Sequence, residues 1–288
     1  MLINNHQLTE SQLIELSKLL LDCQTVDGGL PAIYHELLIQ KRDSATNWFY
    51  YENDKLLGFL TVYFFFEDAC EVNLLVDPNH RQRGISLQLL KSALPLLKHR
   101  NMIKLIFSCS PFFPSEWLTT KDLSYQHSEY KMERNSDEAL LIANPSLTLR
   151  EASLSDMRML CSIDAVCFNE KHTNMPLRFT YLLNQTDYMI LLAKQDNFII
   201  GKAHIRWQEE GVLLSDIAIL PAYQRKGFGS ELLSHCINQA LSMGKNKLGL
   251  DVEASNRNAL NLYLRHGFNI INTYDFWAMM VEDLEQAL

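Results

Sequence analysis

A glycine-spaced turn between two apolar segments is the part of this chain best suited to bind a ligand. The turn reads Gln224-Arg225-Lys226-Gly227-Phe228-Gly229; it follows the apolar run 213–220 and leads into a helical pattern. Glycine has no Cβ, so the backbone can turn tightly and a ligand can approach it closely. The unpaired N–H groups and positive dipole end of the following helix, together with Arg225 and Lys226, suit a phosphate group.

A second stretch, residues 250–268, carries groups that can move protons. It reads as a strand containing Asp251, then a helix started by Asn256 and stopped by Gly267. Tyr263 lies within that helix, and a neutral phenol can donate a proton. Asp251 and the earlier Asp216 are carboxylates that can accept one.

Both stretches resemble the conserved blocks of the GNAT (Gcn5-related) N-acetyltransferase superfamily. The first block is Q/R-x-x-G-x-G/A after a strand, and the second is L-x-V-x-x-x-N-x-x-A-x-x-L-Y-x-x-x-G-F; they stand here in the same order. The resemblance covers roughly residues 147–283. It implies a bent mixed sheet whose fourth and fifth strands splay apart to admit the pantetheine arm of acetyl-CoA. It also implies direct attack of an amine on the thioester, so that effective concentration supplies much of the rate.

The resemblance places the coenzyme on the end of one strand and on the glycine turn. The residues predicted to bind acetyl-CoA, mostly through backbone groups, are Ile217, Ile219, Gln224, Arg225, Lys226, Gly227, Phe228, Gly229, Ser230 and Asn256. Two simpler interpretations stay open. The turn can be a plain strand-to-helix connector, and Asn256 can serve only as a helix cap.

Tyr263 is the predicted general acid, because it matches the family tyrosine that often protonates the coenzyme thiolate. Leu260, Tyr263 and Leu264 also share one helix face, so packing alone could explain the tyrosine. Asp251 and Asp216 are the candidate bases, and either carboxylate can instead be merely solvated. Some family members that modify protein N-termini carry an acid at the position of Asp251.

Composition excludes several other classes of function. The 288 residues are 47% hydrophobic and carry a formal net charge of −8, which argues against a nucleic-acid binder. We find no secretory signal, and the apolar runs are too short to span a bilayer, so we expect a cytoplasmic protein. Six cysteines without a C-x-x-C pair read as reduced thiols, and nine histidines without ligand spacing predict no metal site.

The chain also repeats its own plan. Pro221 lies 143 positions after Pro78, and Gly201 lies 143 positions after Gly58. A fixed offset of about half the chain predicts two domains of one fold. We place a degenerate GNAT-like domain at 1–134 and a catalytic GNAT domain at 147–288, joined by a polar linker.

The first half departs from the pattern wherever chemistry is expected. At the offset of 143, Gly229, Asp216, Asp251, Asn256 and Tyr263 are matched by Ser86, Asn73, Ser108, Phe113 and Thr120. These replacements remove the glycine, both acids, the amide and the phenol. They predict one acetyl-transfer site per chain, in the second half.

The sequence therefore predicts an α/β (mixed α+β) protein of two tandem GNAT-type domains, each a bent mixed sheet flanked by helices. The predicted activity is transfer of acetyl from acetyl-CoA to a primary amine on a small molecule, an amino acid or a peptide N-terminus. The expected state is a monomer or homodimer with no membrane or nucleic-acid partner. Alternatives are a non-catalytic acyl-CoA sensor and an interaction module in which the glycine turn is only structural.

Overall fold

The computed structural model describes residues 1–113, 118, 122–168 and 175–287. The strands are β1 (Leu2–Asn5), β2 (Asn47–Glu52), β3 (Lys55–Tyr63), β4 (Ala69–Val76), β5 (Lys104–Cys109), β6 (Ser124–Asn135), β7 (Thr148–Glu151), β8 (Tyr188–Gln195), β9 (Phe198–Trp207), β10 (Val212–Ile219), β11 (Lys247–Glu253) and β12 (Asn269–Met280). Within these residues the α-helices are α1 (Glu10–Asp27), α2 (His35–Leu38), α3 (Ile85–His99), α4 (Met157–Cys167), α5 (Met175–Leu183), α6 (Phe228–Ser242), α7 (Arg257–Arg265) and α8 (Val281–Ala287). The predicted mixed α/β class is confirmed, because parallel and antiparallel strand pairs alternate with helices. Across the described ranges, none of the helices has both the length and the apolar composition of a membrane span.

The internal repeat predicted from the sequence is confirmed element by element. Strand β10 begins and ends 143 positions after β4, and α6 begins and ends 143 positions after α3. Strand β11 begins 143 positions after β5. These elements follow each other in the same order in both halves, so equivalent positions within them can be compared directly.

The chain divides into two compact units that are not contiguous in sequence. The first holds Met1–Tyr130, Glu253–Ser255 and Asn272–Leu288, and the second holds Lys131–Val252 and Asn256–Ile271. The predicted boundaries, 1–134 and 147–288, assigned the last strand to the second half. In the structure most of β12 belongs to the first unit, where Asp275 to Met280 pair antiparallel with β5. Apolar periodicity identifies a strand but does not say which edge it joins, which is why the sequence missed this exchange.

In the first unit the strands run in the order β1-β2-β3-β4-β5-β12. Successive side chains of a strand point to opposite faces, and the helices cover both. Phe59 of β3 packs in a cluster with Leu16 of α1. Leu60, the next residue, packs in a different cluster with Leu89 of α3.

In the second unit the order is β6-β11-β10-β9-β8-β7. Ile190 and Leu192 of β8 pack with Leu160 of α4 and Phe179 of α5. Helix α6 packs on β9 and β10. A Cβ at Gly201 of β9 would lie 2.4 Å from a backbone oxygen of β10, so these two strands approach so closely that only glycine fits.

Candidate active site

Strand β10 loses its regular pairing halfway along its length. It pairs in parallel with β11 only at its first two residues, Val212 and Leu213. On the other side, its register with β9 shifts between Ser215 and Ala218, which is a β-bulge. Inside the bulge, Asp216 has φ 47°, in the left-handed region that residues other than glycine rarely adopt. Beyond this point β10 and β11 are no longer paired, which is the splay that the family resemblance implies.

The two predicted pantetheine contacts, Ile217 and Ile219, lie at this splay and differ in their backbone hydrogen bonding. Ile217 falls within the bulge, outside the paired stretches with β9 and β11. Its N–H and C=O can therefore pair with an extended ligand arm, as an added strand would. The carbonyl of Ile219 accepts a hydrogen bond from Nε2 of Gln224 at 2.8 Å. Gln224 thus ties the loop to the strand end.

The loop after β10 turns the chain through a short 3₁₀ turn, Pro221–Tyr223, into α6. Arg225 has φ 59° and Gly227 has φ 91°, and Gly227 is the N-terminal cap residue of α6. The first hydrogen bond across this cap runs from the N–H of Glu231 to the carbonyl of Gly227. The N–H groups of residues 228–230 precede it and have no partner within the helix, which suits an anion. Lys226 lies over the ring of Tyr223 beside this end.

The two glycines of the loop leave space that the protein does not fill. A Cβ at Gly227 would meet no atom within 4 Å, although its positive φ still favours glycine. A Cβ at Gly229 would meet only Leu262 and Ile219, at 3.8 and 3.9 Å. Packing therefore does not demand glycine at 229, and the clearance is available to a ligand.

Ser230 is held by a histidine that sequence reasoning missed. Its hydroxyl lies 3.0 Å from Nε2 of His266, while Nδ1 of His266 lies 2.8 Å from the carbonyl of Leu262. Nε2 of His266 also lies 3.2 Å from the backbone carbonyl of Ser230, so the imidazole contacts both the hydroxyl and the backbone of this residue. The aromatic side chain of Phe228, next to this turn, is buried.

Tyr263 lies on the buried side of α7. Its ring packs edge-on against Phe268 at 6.0 Å between centroids, so the packing interpretation describes its ring correctly. Burial raises the pKa of Tyr263 to about 12, with a smaller contribution from Cys236. The phenol is therefore neutral at physiological pH and can donate its proton, so packing and the acid role are compatible.

Asn256 and Asp251 lie on either side of the strand-to-helix turn. Asn256 caps α7, since its Oδ1 accepts from the N–H of Ala259 at 3.1 Å. The predicted cap is confirmed, and the coenzyme contact of Asn256 stays a prediction. Asp251 is exposed on β11, between the buried Leu250 and Val252.

A cluster of charged side chains lies under the bulge, and sequence reasoning identified only one of its members. Nζ of Lys202 lies 2.6 Å from Oδ1 of Asp164 and 2.8 Å from Nε2 of His204. Nδ1 of His204 lies 3.1 Å from Oδ2 of Asp216. Arg178 reaches both carboxylates, at 3.5 Å from Asp164 and 3.2 Å from Asp216. Asp164, Lys202 and His204 are each 0% exposed, so this ionic chain starts in the core and ends at the bulge.

Hydrogen-bond chemistry sets the protons of this cluster. A lysine ammonium can only donate, so Nε2 of His204 accepts and Nδ1–H points toward Asp216. Burial raises the pKa of Asp164 and lowers the pKa of Lys202, and their ion pair opposes both shifts. Burial also raises the pKa of Asp216, but His204, then Lys202 and Arg178, outweigh it and hold this pKa well below its ordinary value. Asp216 is therefore a carboxylate at neutral pH and a weak base.

The first unit closes the equivalent gap with a neutral hydrogen bond. Nδ2 of Asn73 donates to Oγ of Ser108 at 2.9 Å, and the N–H of Ala32 donates to the same oxygen at 3.1 Å. Strand β4 also stays paired with β5 over four residues, twice as many as β10 with β11. Thr120, the counterpart of Tyr263, lies outside the described residues.

A model of the "Acetyltransferase (GNAT) family" matches residues 13–112 and 155–268, one match in each half. The chain belongs to the GNAT family. Its two matches make it a tandem GNAT protein, as the resemblance predicted.

Curated GNAT relatives match only part of this chain. An uncharacterized N-acetyltransferase of Mycobacterium tuberculosis (strain ATCC 25618 / H37Rv) is 32% identical over 100 residues, which are 34% of this chain and 64% of the relative. The [ribosomal protein bS18]-alanine N-acetyltransferase of Haemophilus influenzae is 40% identical over 85 residues, covering 30% of this chain and 58% of that enzyme. The chain thus matches less than two thirds of the length of these relatives.

Solved structures share the fold over nearly the whole chain. A GCN5-related N-acetyltransferase from Sphaerobacter thermophilus superposes with a TM-score of 0.77 at 15% identity, covering 97% of this chain and 96% of its own. A tandem GNAT protein from the clavulanic acid biosynthesis pathway gives a TM-score of 0.65 at 13% identity, covering 98% and 99%. At these identities the likeness shows the fold alone.

Proposed function

We propose that this GNAT protein transfers an acetyl group from acetyl-CoA to a primary amine, and that the second unit carries the active site. The observation that supports this assignment is the bulge at Asp216, which lies on β10 beyond its last pairs with β11 and before the glycine turn. In the first unit the β4–β5 pairing also stops, at Val72, but the side chains of Asn73 and Ser108 bridge the two strands directly beyond it. Acetyl-CoA supplies the activated acyl group, and every other requirement falls to side chains and backbone of the protein.

The residues divide these tasks by position. Backbone N–H groups of 228–230 and the positive charges of Arg225 and Lys226 hold the pyrophosphate. The unpaired backbone at Ile217 receives the pantetheine arm. Tyr263 donates a proton to the sulfur as the carbon–sulfur bond breaks.

Of the two predicted bases, Asp251 suits the task better. Asp216 is held ionised by His204 and Arg178, which makes it a poor proton acceptor. Asp251 is exposed on β11, between the buried Leu250 and Val252. It can take the proton of the attacking ammonium directly or through water.

A peptide N-terminus is the acceptor that the relatives favour. The Haemophilus influenzae relative is named for acetylation of an alanine of ribosomal protein bS18. We therefore expect a peptide with a free N-terminal alanine to outperform its Nα-blocked form. Free amino acids and small amines complete the panel of acceptors, with release of the coenzyme thiol as the readout.

Calorimetry with acetyl-CoA tests the site before any acceptor is known. Gly229→Glu puts a side chain and a negative charge where the pyrophosphate lies, so binding should weaken at least tenfold, about 1.4 kcal/mol. Ser86→Glu is the matched control, because Ser86 occupies the same position in the first turn of α3. If Ser86→Glu weakened binding and Gly229→Glu did not, the coenzyme site would belong to the first unit.

A non-catalytic acyl-CoA sensor is the competing function. A sensor would bind acetyl-CoA as the enzyme does but would not transfer its acetyl group. Tight binding of acetyl-CoA without thiol release across the whole acceptor panel would favour the sensor. Retention of a neutral, proton-donating Tyr263 favours the enzyme.

A further inference from the structure

The charged cluster under the bulge is not a requirement of the fold. Lys202 and His204 of β9 lie 143 positions after Phe59 and Thr61 of β3. The first unit therefore builds the same strand with an aromatic ring and a hydroxyl at these positions, and both are 0% exposed. Burying charged groups is costly even when they are paired, so the cluster needs a reason beyond stability.

The bulge is also confined to the second unit. Strand β4 pairs with β3 in unbroken register, with Thr61 opposite Asn73. Asp216, the counterpart of Asn73, has φ 47°, whereas Asn73 is not among the described residues with positive φ. The charged cluster and the bulge thus occur together in one unit and are replaced together in the other.

Backbone strain connects the two features. A residue other than glycine persists in the left-handed region only when its surroundings over-determine it. The carboxylate of Asp216 contacts His204 at 3.1 Å and Arg178 at 3.2 Å. His204 is fixed in turn by Nζ of Lys202 and by the hydroxyl of Tyr188, at 2.8 and 2.9 Å.

The end of the ionic chain opposite Asp216 is held in the core. Lys202 is paired with Asp164 of α4 in the core, and the rings of Phe168 and Phe179 lie within 6 Å of its ammonium. The position of the Asp216 carboxylate is therefore constrained by side chains from α4, α5 and β9 together.

We propose that Lys202 and His204 are positioning residues that hold Asp216 in its left-handed conformation and so keep the gap between β10 and β11 open for the acyl-CoA arm. This inference rests on the proposed function for the identity of the ligand. It assigns the cluster to building the binding gap rather than to accepting a proton.

Lys202→Met in the full chain removes the anchor while keeping most of the side-chain volume. Acetyl-CoA binding, measured by calorimetry, should weaken about tenfold. In hydrogen–deuterium exchange without ligand, the exchange rates of the backbone amides of β10 should differ between Lys202→Met and the parent. Those of β4 should be the same in both proteins. Lys194→Met is the matched control, because this lysine lies on neighbouring β8 and is partly exposed; its affinity and exchange should equal those of the parent.

Glycine at position 216 provides the rescue. Glycine adopts a positive φ without strain, so in the Asp216→Gly background Lys202→Met should weaken acetyl-CoA binding much less than it does in the parent. Asp216→Ala should bind acetyl-CoA weakly. Alanine is strained at a positive φ and lacks the carboxylate that contacts His204 and Arg178. If Lys202 acted only through general stability, Asp216→Gly would not restore acetyl-CoA binding in Lys202→Met.

Each outcome decides the proposal. If Lys202→Met does not fold, Asp164→Asn/Lys202→Met removes the buried pair without leaving an unpaired charge and takes its place. Parent-like affinity and β10 exchange in these variants would overturn the anchor and leave the proposed function standing. If the parent bound no acetyl-CoA, the proposed function would fail, and the exchange of β10 would still decide whether the cluster holds the bulge.

Discussion

Replacing Tyr263 with phenylalanine separates the two roles of this side chain. The ring is 8% exposed and packs against Phe268, and phenylalanine keeps both features. The free energy of unfolding should therefore change by no more than about 0.5 kcal/mol. The lost proton donor should lower kcat by roughly 10²–10⁴-fold, or about 2.7–5.4 kcal/mol of barrier. Acetyl-CoA affinity should not change, because the coenzyme is held by the glycine turn.

The assay is a single-turnover measurement of acetyl transfer, which isolates the chemical step from product release. Tyr181→Phe is the control, since Tyr181 on α5 is 64% exposed and lies on the same unit. Tyr263→Ala should behave differently, losing roughly 3–5 kcal/mol of stability because a buried ring is removed. An unaltered single-turnover rate in Tyr263→Phe would refute the acid role and leave packing as the reason for the tyrosine.

Three further predictions concern the loop, the cap and the pH dependence of stability. Gly229→Ala should raise the free energy of unfolding by about 0.5–1 kcal/mol, because it removes a helical glycine from an uncrowded site; it should weaken acetyl-CoA binding, and a parallel loss of stability would contradict this view. Asn256→Ala should cost about 1 kcal/mol in urea unfolding through loss of the cap, and an unchanged midpoint would show that the cap is dispensable. Burial raises the pKa of Asp77, but hydrogen bonds from Lys55, His80 and Asn79 outweigh it and lower the pKa to about 2. Because this pKa is depressed on folding, the stabilisation is present above pH 4 and is lost as pH falls toward 2. Asp77→Asn should flatten the change in urea stability over that window, and an identical acid profile would assign the loss to other groups.

Local patterns predicted much of the fold. The offset of 143 is retained by β4, α3 and their counterparts, because equivalent glycines and prolines fix the same turns. The cap at Asn256 followed from residue type alone. Such features depend on neighbours within a few residues, which a sequence displays directly.

The charged cluster could not be predicted in the same way. Asp164, Arg178, Lys202 and Asp216 come from four elements, and only the folded sheet brings them within 4 Å. One signal was visible: Lys202 and His204 stand two residues apart in one strand, so both point to the same face of the sheet. His266 was missed for a related reason, since its partner Ser230 lies 36 residues away.

The pairing of the last strand, β12, with β5 of the first unit has a consequence for biosynthesis. The sulfur of Cys109 in β5 contacts the backbone of Asp275, 166 residues further along the chain. At roughly 5–20 residues per second, β5 waits about 10–30 s on the ribosome before its partner strand is made. During that interval its edge is an open template for pairing with another nascent chain. Completion of the first unit is therefore tied to late synthesis, and the time spent with an open edge, rather than final stability, is expected to limit the yield of correctly assembled protein.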